Sequence, residues 1–294
     1  MKAGIIIPQG WTGEYAEWEP AHAWKRSVFV ARQAEELGFE SIWAFDHFHT
    51  TPDPTDEMTF ESFTFLTALS QRTERVKLGH IVMSAGFRNP ALVAKMISTL
   101  DLVSNGRAQV GIGAGWKQEE WEAYGYDFPG RKDRLDRLAD SLEIIRAMLS
   151  PGRSTYEGTH ASIHGAINEP PGLQEPRVPI MIGGNGPERT WRLAARYADE
   201  LNIDAMLPQD LKAALPTIHS RCEEIGRDPD TLDVSVHIWW EQATEAGQAR
   251  RERLAEYAEL GIRRVQMLVR GSVDDDDALP AFAEDCRAAG MELG

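Results

Sequence analysis

Three glycine-rich or acid–base stretches hold most of the residues in this 294-residue chain that could do chemistry. The first is Asp46-His47-Phe48-His49. A carboxylate beside an imidazole suits proton transfer, or hydrogen bonding to a heteroaromatic ring, near neutral pH. The His47-x-His49 spacing also invites a metal reading, which would need further histidine, lysine and aspartate ligands at later strand ends. Those ends are glycine-rich instead, so no metal site is expected. The second stretch is Gly111-Ile112-Gly113-Ala114-Gly115-Trp116. Its glycines alternate and then give way to aromatic residues, where a dinucleotide fingerprint would open a helix. Glycine within a strand lets a flat, bulky group approach the backbone. Small residues filling a barrel's taper are the competing explanation. The third stretch is Ile182-Gly183-Gly184-Asn185-Gly186-Pro187-Glu188-Arg189. Its glycines free backbone N–H groups to form a concave nest, and a following helix would add partial positive charge. That arrangement suits one phosphate, with an ordinary strand–helix turn as the alternative. No G-K-[ST] follows, so it is not a nucleoside-triphosphate loop. Gln9, Trp11, His49 and Trp116 fall at the same ends and are candidate substrate-pocket residues. Trp121, Tyr124 and Tyr126 are expected to pack an insertion, and Arg134, Asp136, Arg137 and Glu143 to form a solvated ion-paired helix face.

The elements that must position these residues alternate regularly. Short β-branched apolar runs fall at 3–8, 41–45, 76–83, 108–112, 179–182, 200–203, 233–238 and 264–269. Segments of helical period lie near 24–37, 59–72, 90–104, 133–149, 187–195, 211–225, 245–260 and 279–289. Leu37-Gly38-Phe39 and Leu260-Gly261-Ile262 each place glycine where a helix ends in the left-handed conformation. Strand–helix alternation implies parallel strands with right-handed crossovers. Eight units predict a single-domain (β/α)8 TIM barrel over residues 1–294, an open doubly wound sheet being the alternative. The strands read as nearly continuously apolar. Two stretches exceed the usual loops, 114–131 after strand four and 150–177 after helix four. They are expected to be insertions, the second holding a small hairpin around Thr155–His160. The acidic run 274–277 reads as solvated residues at a helix N-terminus.

Composition narrows the class. Lys and Arg number 31 against 46 Asp and Glu, a net charge of −15. A nucleic-acid or anionic-membrane binder would need a basic face, so neither partner is expected. No apolar run approaches the roughly 20 residues that span a bilayer. Cys222 and Cys286 are too few for a disulfide framework, and the chain reads as cytoplasmic.

Taken in order, several segments resemble the bacterial-luciferase-like flavin and deazaflavin oxidoreductases, in the branch that uses the deazaflavin coenzyme F-420. They are Gly4–Trp11, Asp46–His49, Phe87-Arg88-Asn89-Pro90-Ala91-Leu92-Val93-Ala94-Lys95-Met96, Gly111–Trp116, Ala123-Tyr124-Gly125-Tyr126 and Ile182–Gly186. The resemblance implies a hydride-transferring oxidoreductase with the cofactor ring at the C-terminal mouth of the barrel and a small organic substrate. Within it, Asp46 and His47 match positions at the ring and its reacting region, and His47 and Asp46 become the implied catalytic residues. Ile81-Val82 matches a pair joined by a non-proline cis peptide behind the ring, with Ser84 beside it. Ala114 and Gly115 match ring contacts, and Gly183, Gly184, Asn185 and Gly186 the phosphate cradle. On charge alone, Arg88, Lys95, Arg131 and Arg189 are candidates for the cofactor's anionic tail. Trp116 stands where the group's sugar-phosphate dehydrogenases carry a glutamate acid, which argues against that substrate class and leaves His47 or solvent as the acid. FMN-dependent monooxygenation on the same scaffold is the alternative, and a non-catalytic cofactor-binding barrel the second. A homodimer is expected by analogy.

Overall fold

In the computed structural model, which describes residues 1–243 and 246–294, the chain winds as a closed parallel barrel. Its staves are β1 (Lys2–Ile6), β2 (Ser41–Ala44), β3 (Lys77–His80), β5 (Ala108–Gly113), β8 (Ile180–Gly183), β9 (Glu200–Asp204), β10 (Asp233–Ile238) and β11 (Arg264–Met267). β11 pairs with β1, and β3 with β5, so no edge remains among the eight. The short β4 (Met83–Ser84) continues the β3 stave after a cis Ile81–Val82 peptide and pairs with β5. The expected single strand at 76–83 is therefore two pieces, with Ile81 and Val82 between them outside either strand.

Around the barrel lie α1 (Pro20–Glu36), α2 (Ser62–Ser70), α3 (Pro90–Val103), α5 (Arg131–Met148), α6 (Thr190–Tyr197), α7 (Pro208–Glu223), α8 (Gln248–Glu259) and α9 (Ala278–Ala288). The expected start of the eighth helix, Glu245, lies outside the described residues. Asn89 caps α3 by accepting from the N–H groups of Ala91 and Leu92, and Pro90 fits the first helical position. α6 starts at Thr190 rather than at Pro187, so the glycine turn runs on for three residues before the helix begins. Both insertions occur where the spacing places them. The one after β5 carries a short helix, α4 (Gln118–Ala123), that periodicity did not reveal, because six residues are too few to show a helical repeat. The one after α5 is a hairpin of β6 (Arg153–Glu157) and β7 (Ser162–Ile167).

The outer faces of the staves pack apolar side chains against the helices, but the lumen mixes polar side chains with Ile6, Trp43 and Met181, where the sequence pattern predicts apolar strands. Asn202 Nδ2 donates to Ser235 Oγ at 2.9 Å and to Gln266 Oε1 at 3.1 Å. Lower down, Arg264 pairs with Glu200 at 2.7 Å and with Glu40 at 2.8 Å, its guanidinium 5.5 Å from the ring centre of Trp43. Trp43 is fully buried, and side chains added at Gly4 or Gly79 would collide with it. The floor of the barrel is thus plugged, and open space is left at the mouth, where the strands end.

His80 faces outward from β3 against Phe63 of α2, their ring centres 4.2 Å apart, and among the described residues neither of its nitrogens has a hydrogen-bond partner. Burial pulls its pKa down to about 4. The unfolded chain takes up this proton near pH 6.5 and the folded chain only near pH 4, so stability falls as pH drops between them. His80→Leu is expected to remove about 3 kcal/mol of acid destabilisation across that window, measured by urea unfolding at neutral and acid pH. An unchanged pH slope would show that His80 does not titrate in this way.

Candidate active site

Where β2 ends, the chain turns through Asp46 and His47. Asp46 is buried and accepts both arms of the Arg88 guanidinium at 2.8 Å. It also accepts from Ser62 Oγ at 2.7 Å and from the Ser84 N–H at 3.1 Å. Burial opposes its charge, but the hydrogen bonds and positive charge of Arg88 outweigh that and hold the carboxyl below the usual range. Its four contacts tie the end of β2 to α2, β4 and the start of α3. Arg88 is bound to Glu61 as well, at 2.8 Å, so it faces Asp46 and Glu61 rather than a cofactor tail.

His47 follows, and three groups set its ring. Nδ1 donates to Glu120 Oε2 at 2.7 Å, while the Phe48 N–H donates to Oε1 of the same carboxylate at 2.7 Å. Trp11 stacks on the imidazole, with ring centres 4.2 Å apart and planes 3° from parallel. Trp116 stands edge-on at 5.8 Å, largely exposed at the mouth. Glu120 is fully buried; burial opposes its charge, and the His47 hydrogen bond, the charge of His47 and the Phe48 N–H together bring its pKa below the usual value. With Nδ1 committed to a carboxylate, Nε2 is the nitrogen left to act.

Glu120 was not among the sequence candidates. Its only signal was an acid pair, Glu119-Glu120, opening a helix in the aromatic insertion, and a helix start explains acidic residues without any site. A second correction concerns Arg134, which is not part of a solvated ion-paired face. It is half-buried on the cavity wall, donates to the carbonyls of Gly115 at 3.2 Å and Pro129, and stacks over Phe128 at 4.0 Å. The expected helix face is kept by Asp136, which pairs with Lys132 and Arg189, and by Glu143, which accepts from Tyr197.

The mouth holds a cavity of about 410 Å³. Asp46, His47, Ile81, Val82, Ser84, Ala114, Gly115, Gly183, Gly184, Asn185, Gly186, Trp11 and Trp116 all line it. Arg131 lines it beside Gly186. Gln9 and His49 do not: the Gln9 side chain bridges Phe45 and Phe60 backbone groups, and His49 Nδ1 turns to the Thr50 carbonyl. Lys95 binds the Glu169 carbonyl on the outside of the barrel, and Arg189 binds Asp136 and the Lys132 carbonyl. Of the four candidates for an anionic tail, Arg131 is the one on the cavity wall.

One side of the cavity is shaped for a flat group. A Cβ added at Gly113 or Gly183 would come within 2.9 Å of Val82, so bare backbone flanks that side chain on both sides. Ser84 Oγ is buried there, without a partner among the described residues. Beyond, Gly184 has a φ of 135°, and among the described residues no acceptor takes the N–H groups of Asn185 and Gly186. A side chain at Gly186 would meet Thr190 Oγ1 at 2.9 Å. The Asn185 side chain is occupied, clipping the Asp204 backbone at 2.7 and 3.0 Å, so Asn185 offers its backbone N–H. A planar ring against Val82 with an anion on these amides fits the residues present.

Fold and site together define a parallel β/α barrel with a flat, glycine-walled slot and an imidazole–carboxylate couple at its mouth. A family model described as luciferase-like monooxygenase matches residues 1–289, and the chain belongs to that family. An F-420-dependent glucose-6-phosphate dehydrogenase of Kineococcus radiotolerans is 32% identical over 212 residues, covering 71% of this chain and 61% of that protein. One from Intrasporangium calvum is 31% identical over 239 residues, covering 79% and 69%. A 5,10-methylenetetrahydromethanopterin reductase of Methanolobus tindarius is 28% identical over 234 residues, covering 80% and 67%. The matched stretch thus spans less than two thirds of the Kineococcus protein. Among solved structures, an F-420-dependent secondary alcohol dehydrogenase in complex with an F-420–acetone adduct superposes with a TM-score of 0.80 at 22% identity, over 98% of both chains. The coenzyme F-420-dependent tetrahydromethanopterin reductase of Methanopyrus kandleri does so with 0.76 at 20%, over 97% of both. At these identities the superpositions establish the fold.

Arg88→Met would leave the Asp46 carboxylate buried without its counter-charge. It is expected to cost about 3–5 kcal/mol in denaturant unfolding at neutral pH. A loss below about 1 kcal/mol would mean that solvent reaches Asp46.

Proposed function

We propose that this protein is an oxidoreductase that moves a hydride between coenzyme F-420 and a small organic substrate. The observation that carries the reading is the slot itself: Val82 flanked by bare glycine backbone, leading to free amides at Asn185 and Gly186. The F-420-dependent relatives at 31–32% identity support a deazaflavin over FMN, which would use the same cradle. When bound, the deazaflavin supplies a ring carbon that gives or takes a hydride.

The chain's own part is orientation and proton handling. Gly183–Gly186 and Arg131 would hold the phosphate, and Val82 and Ser84 the ring. Glu120 keeps the proton of His47 on Nδ1 and Trp11 fixes the plane of the imidazole, so Nε2 is presented to the reacting partners. Asp46, bound to Arg88, anchors the turn that carries His47 rather than passing a proton itself. A cytoplasmic location accords with the two cysteines, both free and buried, and among the described residues no helix is long and apolar enough to cross a membrane. A homodimer accords with Leu92, Leu102 and Val103, exposed on α3.

His47→Ala is expected to leave the fold intact and to slow single-turnover hydride transfer by about 10²-fold or more. Glu120→Gln, which keeps shape but removes the charge, is expected to slow it by a smaller factor, with unaltered cofactor affinity. Transfer at the original rate in the His47 variant would remove that residue from the mechanism.

A further inference from the structure

A second imidazole–carboxylate couple faces the same cavity from the end of β10. On β10 the side chains alternate, and Ser235, which receives a hydrogen bond from Asn202, marks the inward face. His237 lies two residues on, one layer higher, and lines the cavity. It is 4% exposed, and among the described residues its Nε2 has no partner. Its Nδ1 is 3.1 Å from Oδ1 of Asp204, an oxygen that also accepts from Trp239 Nε1 at 3.0 Å. A carboxylate at that distance favours the tautomer with its proton on Nδ1, which leaves Nε2 as the acceptor of the neutral ring. Leaving such an atom unpaired is costly unless a bound molecule supplies the donor.

Aromatic rings pack beside the His237 imidazole. Trp239 is 4.4 Å and Phe45 5.6 Å from the His237 ring centre, and Trp11 is 4.3 Å from Phe45. Two of the three cationic side chains on the cavity wall are held elsewhere, Lys117 by the Thr50 carbonyl and Glu119, and Arg134 by the carbonyls of Gly115 and Pro129. The third, Arg131, stands at Gly186 on the cradle side. An anionic ligand would therefore meet Asp204 with no cation to offset it.

We propose that Phe45, Trp239 and Trp11 form a subsite for a flat, uncharged molecule whose hydroxyl donates to His237 Nε2, with Asp204 as the positioning residue. The subsite deepens the proposed function by naming its substrate class, and rests on that reading for its place beside the cofactor.

The test uses the full chain, with and without F-420, and three probes of one skeleton: benzyl alcohol, toluene and benzoate. In nitrogen-15 NMR of the histidine side chains, benzyl alcohol is expected to shift the His237 Nε2 resonance, toluene to leave it in place, and benzoate not to bind. In His237→Phe or His237→Leu, benzyl alcohol affinity is expected to fall about tenfold while toluene binding holds or tightens. Equal responses to the alcohol and to toluene, a preference for benzoate, or no binding of any probe would overturn the subsite. F-420 affinity in the same samples separates the two readings. A silent His237 with the cofactor bound defeats only the subsite, whereas a responding His237 without cofactor binding defeats only the proposed function.

Discussion

A carboxylate shut away from water has to be neutralised where it stands, and that requirement organises the mouth of this barrel. Asp46 is buried at the end of β2, and the two arms of Arg88 meet its two oxygens. Because Ser62 and the Ser84 amide bind the same carboxylate, the groups that neutralise it also fasten β2, α2, β4 and the α3 approach together. The next residue, His47, has little freedom left. Glu120 then reaches over from the insertion after β5 and takes the remaining degree of freedom, the rotation of the imidazole. The two carboxylates do different work because their partners differ: Asp46 faces a permanent cation, and Glu120 faces a group that can change its charge.

Much of this was legible in the residues. The eight staves follow from β-branched runs separated by helical periods, since strand and helix patterns differ in repeat and each run was long enough to show its own. The glycines at 113, 115, 183, 184 and 186 announced a close approach to backbone, and they do border the cavity. Position 47 was recognisable because it closes a strand in a fold whose strand ends build the site. What escaped has a common physical cause: it depends on contacts between elements distant in sequence. Glu120 is 73 residues from His47, and nothing local distinguishes it from a surface glutamate. Arg134 follows the polar rhythm of α5, yet its helix leans over the cavity. Gln9 sits at the right strand end but turns inward to bridge two loops, which only the folded backbone reveals. The polar side chains of the lumen were missed for a related reason, as inward residues of several strands satisfy one another only once the barrel closes.

The slot and the two couples divide the cavity by chemistry. One wall is bare backbone and a single valine, which admits a flat ring and offers amides to an anion. The other is aromatic, with two imidazoles that each have a carboxylate beside Nδ1, Glu120 and Asp204. The Asn185 side chain, clipped to the Asp204 backbone, joins the two halves, so the cradle and the aromatic wall share one support. Such division suits a reaction between two bound molecules, in which the protein's contribution is to hold their reacting atoms together and keep water out.

The central claim is that a deazaflavin occupies the glycine-walled side. Equilibrium titration of the purified chain with F-420 and, in parallel, with FMN tests it most directly. Saturable micromolar binding of F-420, with FMN at least tenfold weaker, is the predicted result. Tighter binding of FMN, or no binding of either ring, would contradict it.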